Sequence, residues 1–157
     1  MTAADAKEAC SDLLAEYAYL IDADRLEVWL DLFADECTYQ IVPRENYVRG
    51  LPLQLMLCEN KNMLRDRVIS LRQANIYNIH VDRHLISAIR YCGEDNGVHT
   101  VEANYAVFQT NQDGQSRLFS VGRYLDTVVD DDGTFKFKDK LVIADTASVP
   151  TLLATPL

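Results

Sequence analysis

Val98-His-Thr-Val-Glu-Ala-Asn-Tyr-Ala-Val-Phe-Gln-Thr110 places Val101, Ala103, Tyr105 and Val107 on one face and Thr100, Glu102 and Asn104 on the other. Alternation with period two marks a half-buried strand, and one wet face is typical of an antiparallel sheet. The flanking sequence punctuates that pattern with turn chemistry. Gly93-Glu-Asp-Asn-Gly97, Asn111-Gln-Asp-Gly114 and Asp130-Asp-Asp-Gly133 each supply Gly with Asn or Asp where a hairpin needs positive φ. Four strands in hairpin succession are expected, over residues 83–91, 98–110, 115–129 and 135–147.

Upstream the period changes. Leu13, Leu14, Tyr17, Leu20 and Ile21 recur at helical spacing over 11–21. Asp24, three residues before Glu27, has the form of a capping box that opens a second helical piece carrying Trp29, Leu32 and Phe33 on its buried face. Residues 37–42 are rich in β-branched and aromatic side chains and stop at Pro43, which reads as a short strand. A polar loop over 44–50 follows, then a helix with Leu57, Leu64, Val68 and Leu71 as its stripe, ending before Tyr77. Helices followed by a long twisted sheet make an α+β plan in which the helices cover one face of a curved, mostly antiparallel sheet, forming a cone. No repeat, linker or low-complexity segment divides the chain, so residues 1–157 read as one domain. The apolar tail from Val149 to Leu157 is expected to lie against its own sheet or a neighbouring subunit.

Of the 157 residues 48% are apolar and 25% charged, which suits an ordinary folded globule. Asp plus Glu number 24 against 15 Lys plus Arg, for a net charge of -9. That balance argues against a phosphate-backbone or anionic-membrane partner. Cys10, Cys37, Cys58 and Cys92 stand far apart without metal or redox spacing and read as separate thiols in a reducing cytoplasm. No signal-like or membrane-spanning apolar run is present.

The sharpest local pattern is His80-Val-Asp82-Arg-His84, which on a strand puts two imidazoles and a carboxylate on one face. Those are the ligand types of a mononuclear iron or zinc site, although a straight strand, with about 6–7 Å between alternate side chains, converges them poorly. His84 reads either as a buried or interface residue, or as a base in the cone. In the second case Asp22 or Asp35 would orient it, Tyr17, Tyr39 or Tyr105 would polarise a carbonyl, and the chain would be a free-standing lyase or isomerase. A solvent-open pocket lined by these groups would favour that reading, and a cone filled by Leu, Phe and Tyr would count against it. Phosphate loops, nucleophile elbows and metalloprotease helices are absent from the sequence, and Asp130 to Asp132 read as a solvated turn. Arg44, Arg49, Arg65, Arg67 and Arg123 can serve interfaces or pair with the surplus carboxylates.

Taken in order, Trp29-Leu-Asp-Leu-Phe33, Asp35-Glu-Cys-Thr-Tyr39, Val42-Pro-Arg-Glu-Asn46, Leu64-Arg-Asp-Arg-Val-Ile-Ser-Leu71, Arg83-His84-Leu-Ile-Ser, Gly122-Arg-Tyr124 and Lys138-Asp-Lys-Leu-Val-Ile-Ala-Asp145 resemble the small (beta) subunit of aromatic-ring-hydroxylating dioxygenases. The resemblance runs from about Ser11 to the C-terminus. It implies a nuclear-transport-factor-2-like, or SnoaL-like, cone, and a mainly structural subunit without catalytic, cofactor or metal residues of its own. It also implies a large (alpha) subunit that holds a Rieske [2Fe-2S] cluster and a mononuclear Fe(II), assembled as three alpha with three beta. Electrons from NAD(P)H would arrive through a ferredoxin or reductase that this chain meets only indirectly. Arg83, His84, Arg123 and Tyr124 would then fix subunit contacts or sheet geometry. No Cys stands two or three residues before His80, His84 or His99, so this chain lacks the Rieske ligand pairs. Overall similarity favours the branch acting on aromatic acids such as salicylate, anthranilate or benzoate, while the segment from Asn75 to Asp82 departs from the proline-containing, acidic approach to the Arg-His pair of many relatives.

Overall fold

A computed structural model describes residues 1–74, 79–145 and 156–157. The first helix, α1 (Ala3–Asp22), begins well before the expected residue 11 because Thr2 caps it. The Thr2 hydroxyl accepts from the Asp5 N–H at 3.2 Å, and the Asp5 carboxylate accepts from the Thr2 N–H at 2.8 Å. Cys10, Leu13, Leu14, Tyr17, Leu20 and Ile21 form its buried stripe.

The expected second capping box does not form. α2 (Leu26–Trp29) has no side-chain cap and passes into a 3-10 turn over Leu30–Leu32. Its two carboxylates turn instead to Arg72, whose Nε donates to Glu27 at 2.8 Å and whose Nη1 donates to Asp24 at 2.8 Å. A guanidinium shared by two carboxylates outcompetes one backbone N–H. Arg72 lies on α4 (Lys61–Ala74), so this clamp ties the two helices together, with Leu64, Val68 and Leu71 beneath it in the core. The expected end of α4, before Tyr77, falls among residues 75–78, outside those described.

The first strand, β1 (Phe33–Pro43), ends where Pro43 forbids further pairing, but starts earlier than expected. The expected polar loop after it is a short helix, α3 (Arg44–Arg49), closed by Gly50 at φ 65. Leu57 belongs to a short strand, β2 (Met56–Cys58), and not to α4. The four long strands are β3 (His80–Asp95), β4 (Val98–Asn111), β5 (Ser116–Asp131) and β6 (Thr134–Ala144). They pair antiparallel in succession, and β1 then joins β6 in parallel to give the order β2-β1-β6-β5-β4-β3. The expected extension of the last strand to residue 147 lies outside the described residues.

The helices cover the inner face of the curved sheet, as the α+β expectation required. Between them Tyr17, Trp29, Phe33, Tyr39, Tyr124 and Phe137 are each fully buried and meet largely edge to face, for example Trp29 on Phe33 at 4.7 Å between ring centres. Leu157 enters the same core at 1% exposure. Its carbonyl accepts from the hydroxyls of Tyr17 (2.5 Å) and Tyr39 (3.2 Å). The end of the apolar tail therefore packs inside its own cone, whereas residues 149–155 lie outside the described set.

Candidate functional site

The residues singled out from the sequence divide between the two faces of the sheet. His84 stands opposite Val107, a core position, so its imidazole takes the inner face and is wholly enclosed. Arg83 precedes it and points outward. On β5 the same alternation sends Arg123 out and Tyr124 in.

Asp22, the last residue of α1, reaches β3 with both carboxylate oxygens. One accepts from the His84 N–H at 2.9 Å and the other lies 2.6 Å from His84 Nδ1. A carboxylate facing Nδ1 fixes the proton there and leaves Nε2 as the other ring nitrogen. His84 Nε2 is buried without a hydrogen-bond partner. Of the two carboxylates considered as its orienter, Asp22 is the one present; Asp35 is fully exposed and lies 3.6 Å from Lys61. Because β3 is the outermost strand, Asp22 also covers a backbone N–H that an unguarded edge would offer to another strand.

His80 and Asp82 do not join His84 as a three-ligand set. His80 Nε2 lies 3.4 Å from Asp82 Oδ1 and 3.5 Å from Gln109 Nε2, while His84 is held by Asp22. Among the described residues no group of three or more His, Cys, Asp or Glu side chains is arranged to hold a metal ion. The tyrosines considered as carbonyl polarisers are engaged within the chain: Tyr17 and Tyr39 with Leu157 and each other, and Tyr105 with the Ser120 hydroxyl at 3.0 Å. Burial pushes the Tyr105 phenol up to about 12 and holds Tyr17 and Tyr124 well above the ordinary phenol range, so all three are neutral. Among the described residues the interior around them is packed with aromatic rings. A cleft of ≈ 410 Å³ between α2 and α4, lined by Leu30, Arg65, Val68, Ile69 and Arg72 among others, includes none of these groups.

Gly122 and Tyr124 sit in close contact with their neighbours. A Cβ on Gly122 would stand 2.0 Å from the Ile143 carbonyl oxygen and 3.0 Å from the Tyr105 ring, so no side chain fits. Tyr124 stacks on Tyr105 at 4.7 Å with the planes 8° apart.

Beside it lies a feature the sequence reading missed. Lys140 Nζ sits 3.4 Å from the Tyr124 ring centre and 4.3 Å from that of Tyr17, and donates to Asp126 at 2.7 Å, with both charged side chains at zero exposure. Burial pushes Asp126 up to about 6 while Lys140 pulls it back; burial likewise pushes Lys140 down to about 8 against the pull of Asp126. A signal was present, since Asp126 is in phase with Tyr124 and Val128, and Lys140 with Val142 and Ala144, on the apolar side of each strand.

Comparison with known proteins places this architecture. A family model described as ring hydroxylating beta subunit matches residues 16–151. The anthranilate 1,2-dioxygenase small subunit of Burkholderia cepacia is 47% identical over 137 residues, covering 87% of this chain and 85% of that one. Subunit beta 1 of the terephthalate 1,2-dioxygenase terminal oxygenase component of a Comamonas species is 29% identical over 143 residues, covering 91% and 93%. Among solved structures, the beta subunit of a proposed aromatic-ring-hydroxylating dioxygenase from Novosphingobium aromaticivorans superposes with a TM-score of 0.90 at 43% identity, over 99% of both chains. The cone of nuclear-transport-factor-2-like type expected from the resemblance is the fold observed.

Proposed function

This chain belongs to the family of ring-hydroxylating dioxygenase beta subunits, and from that premise we propose that it is a mainly structural subunit whose own side chains break no substrate bond. The observation that carries this reading is that the histidine and tyrosines considered for chemistry bond to groups of the chain itself, with His84 Nε2 alone of their ring nitrogens left over. His84 meets Asp22 through its backbone N–H and Nδ1, Tyr17 and Tyr39 bond Leu157, Tyr105 bonds Ser120, and the Tyr17 ring packs on that of Phe137. A general acid–base pair needs a substrate within hydrogen-bond reach, and the cleft between α2 and α4 presents none of these groups to one. The lyase or isomerase alternative loses its main support for the same reason.

The oxygenase metals belong, on this reading, to the large subunit. Neither a Rieske cluster nor a three-ligand iron site fits the donors described in this chain. Burial pushes the Cys10 and Cys37 thiols up to about 11, the reverse of what a thiolate ligand needs. The cluster and the iron of the partner would supply electron transfer and oxygen chemistry, with electrons from NAD(P)H delivered through a ferredoxin or reductase. We assign residues 1–157 to a single domain, three copies of which join three large subunits in the cytoplasm. Arg83, His84, Arg123 and Tyr124 serve sheet geometry and subunit contact. The two named relatives are subunits of enzymes named for aromatic carboxylates, which supports an aromatic acid, anthranilate foremost, as the substrate of the complex.

Expression of the chain alone and together with its large subunit, followed by native mass and iron and sulfide analysis, tests this. The expected result is a metal-free chain alone and an iron–sulfur complex of equal subunit number on co-expression. A chain indifferent to the large subunit, or one that oxidises anthranilate unaided, overturns it.

A further inference from the structure

Leu157 is held in the cone as a ligand would be. Pro156 and Leu157 belong to no helix or strand, and Leu157 is buried among the core side chains. Its carbonyl oxygen accepts from the Tyr17 hydroxyl at 2.5 Å and from the Tyr39 hydroxyl at 3.2 Å, and its N–H donates to the Tyr39 oxygen at 3.1 Å. The two hydroxyls lie 3.0 Å apart. They come from α1 and β1, and both rings pack on Trp29, at 5.8 and 5.9 Å between ring centres, so elements other than the tail hold the pair in place.

Two hydroxyls aimed at one oxygen make a carbonyl receptor of the kind that preorganised donors form elsewhere. Burial holds both phenols well above their ordinary range, so each keeps a proton to donate. Two rings packed on Tyr17 carry further donors, Trp29 Nε1 and the Tyr124 hydroxyl, which are buried without a hydrogen-bond partner. The compartment therefore holds donor capacity that the tail leaves unused. Tyr17 and Tyr39 were singled out in the sequence as groups able to polarise a carbonyl, and the carbonyl they meet is the chain's own. A strand leaves a sheet only by breaking a ladder of backbone bonds, whereas Leu157 is secured by two phenols and one buried side chain, contacts that a small molecule can reproduce.

We propose that the Tyr17–Tyr39 pair is a binding site for small acyl compounds, a carbonyl oxygen on a branched apolar body the size of a leucine side chain, and that Leu157 occupies it in cis as a displaceable plug. The ligand's carbonyl accepts from the two phenols and its apolar body replaces the leucine side chain; no bond is made or broken. The inference concerns binding alone and does not rest on the subunit reading.

The probe is 4-methylpentanamide, which reproduces the carbonyl and side-chain carbons of a leucine residue. It is titrated, by thermal melts and calorimetry, into the wild-type chain, a chain stopped after Thr155, and that shortened chain carrying Tyr17→Phe with Tyr39→Phe. The shortened chain should melt below wild type and recover as the amide is raised. Wild type, whose site opens only in the fraction of molecules with the tail released, should bind at least about tenfold more weakly, and the phenylalanine pair should abolish the response. A second measurement needs no variant: carboxypeptidase release of Leu157 from the folded 157-residue chain should quicken with the amide, while release from an unfolded peptide of the same last residues should not. A shortened chain that melts as wild type does, or one that folds and binds the amide no better than wild type, overturns the proposal. So does binding that survives the phenylalanine pair, or Leu157 release indifferent to the amide; the release rate decides alone if the shortened chain fails to fold. None of these readouts involves the large subunit, so failure here leaves the subunit reading standing.

Discussion

At the residue scale the inner face is held by fits that tolerate little substitution. Gly122 is the tightest: with the Ile143 carbonyl 2.0 Å from where a Cβ would stand, Gly122→Ala must push β5 from β6. The expected loss is about 1–3 kcal/mol or more, read from the denaturant midpoint. Lys140 and Asp126 form the second fit. Lys140→Met leaves an enclosed carboxylate without its cation and should cost about 3–5 kcal/mol, while adding Asp126→Leu should restore most of it, because a buried ion pair is often replaceable by apolar volume. The pH dependence follows from the two directions. Asp126, raised from 3.8 to about 6, contributes stability present below pH 3.8 and lost as pH rises through 6; Lys140, lowered from 10.5 to about 8, contributes stability present above pH 10.5 and lost as pH falls through 8. Measured against the double variant by thermal melts, wild type should be least favoured between pH 6 and 8. A flat difference from pH 4 to 10 would show that the pair's protonation is the same folded and unfolded. The Gly-Arg-Tyr motif was legible as a pattern, but its reason was not, since the Ile143 carbonyl is 21 positions away in sequence and adjacent only through the β5–β6 pairing.

Elements were legible where their signal is local. The period-two run over β4 and the helical stripe of α1 depend on neighbours in sequence, and the hairpin turns on single glycines, so these were read correctly. The expectations that failed did so where a distant residue competes: Asp24 and Glu27 make a sound capping box until Arg72 arrives from α4. That clamp holds Glu27 down to about 2, chiefly by the hydrogen bond from Arg72. It therefore contributes stability present above pH 4.5 and lost as pH falls toward 2. Because the carboxylate is mostly exposed, Arg72→Gln should remove no more than about 1 kcal/mol, in full above pH 4.5 and progressively less as pH falls toward 2. Asp22 has the larger stake. A carboxylate at a helix C-terminus opposes the helix dipole, and the two hydrogen bonds to His84 offset this. Asp22→Ala should cost about 2–3 kcal/mol and speed amide exchange along β3 more than along β5, because it strips a buried imidazole of its partner and opens the sheet edge.

For the whole molecule, the α+β plan was legible because each layer announces its own period, whereas the parallel insertion of β1 between β2 and β6 was not. Nothing local distinguishes a strand that pairs with its neighbour from one that pairs with residues about a hundred positions on. The apolar end of the chain did signal burial, and Leu157 lies inside the cone. The same burial decides how His84 can influence the assembled oxygenase. Its imidazole is enclosed on the inner face and tied to Asp22, so its effect travels through the α1–β3 junction and the sheet beyond it. In the complex of large and small subunits, His84→Ala should lower the fraction of chains assembled while leaving turnover per iron within about twofold of wild type; loss of a general acid–base group would instead cost about 100-fold or more. Native mass and turnover normalised to iron, measured on one preparation, separate the two. A fully assembled His84→Ala complex that is slow per iron would move His84 from the scaffold to the chemistry, and with it the interpretation of the unpartnered Nε2.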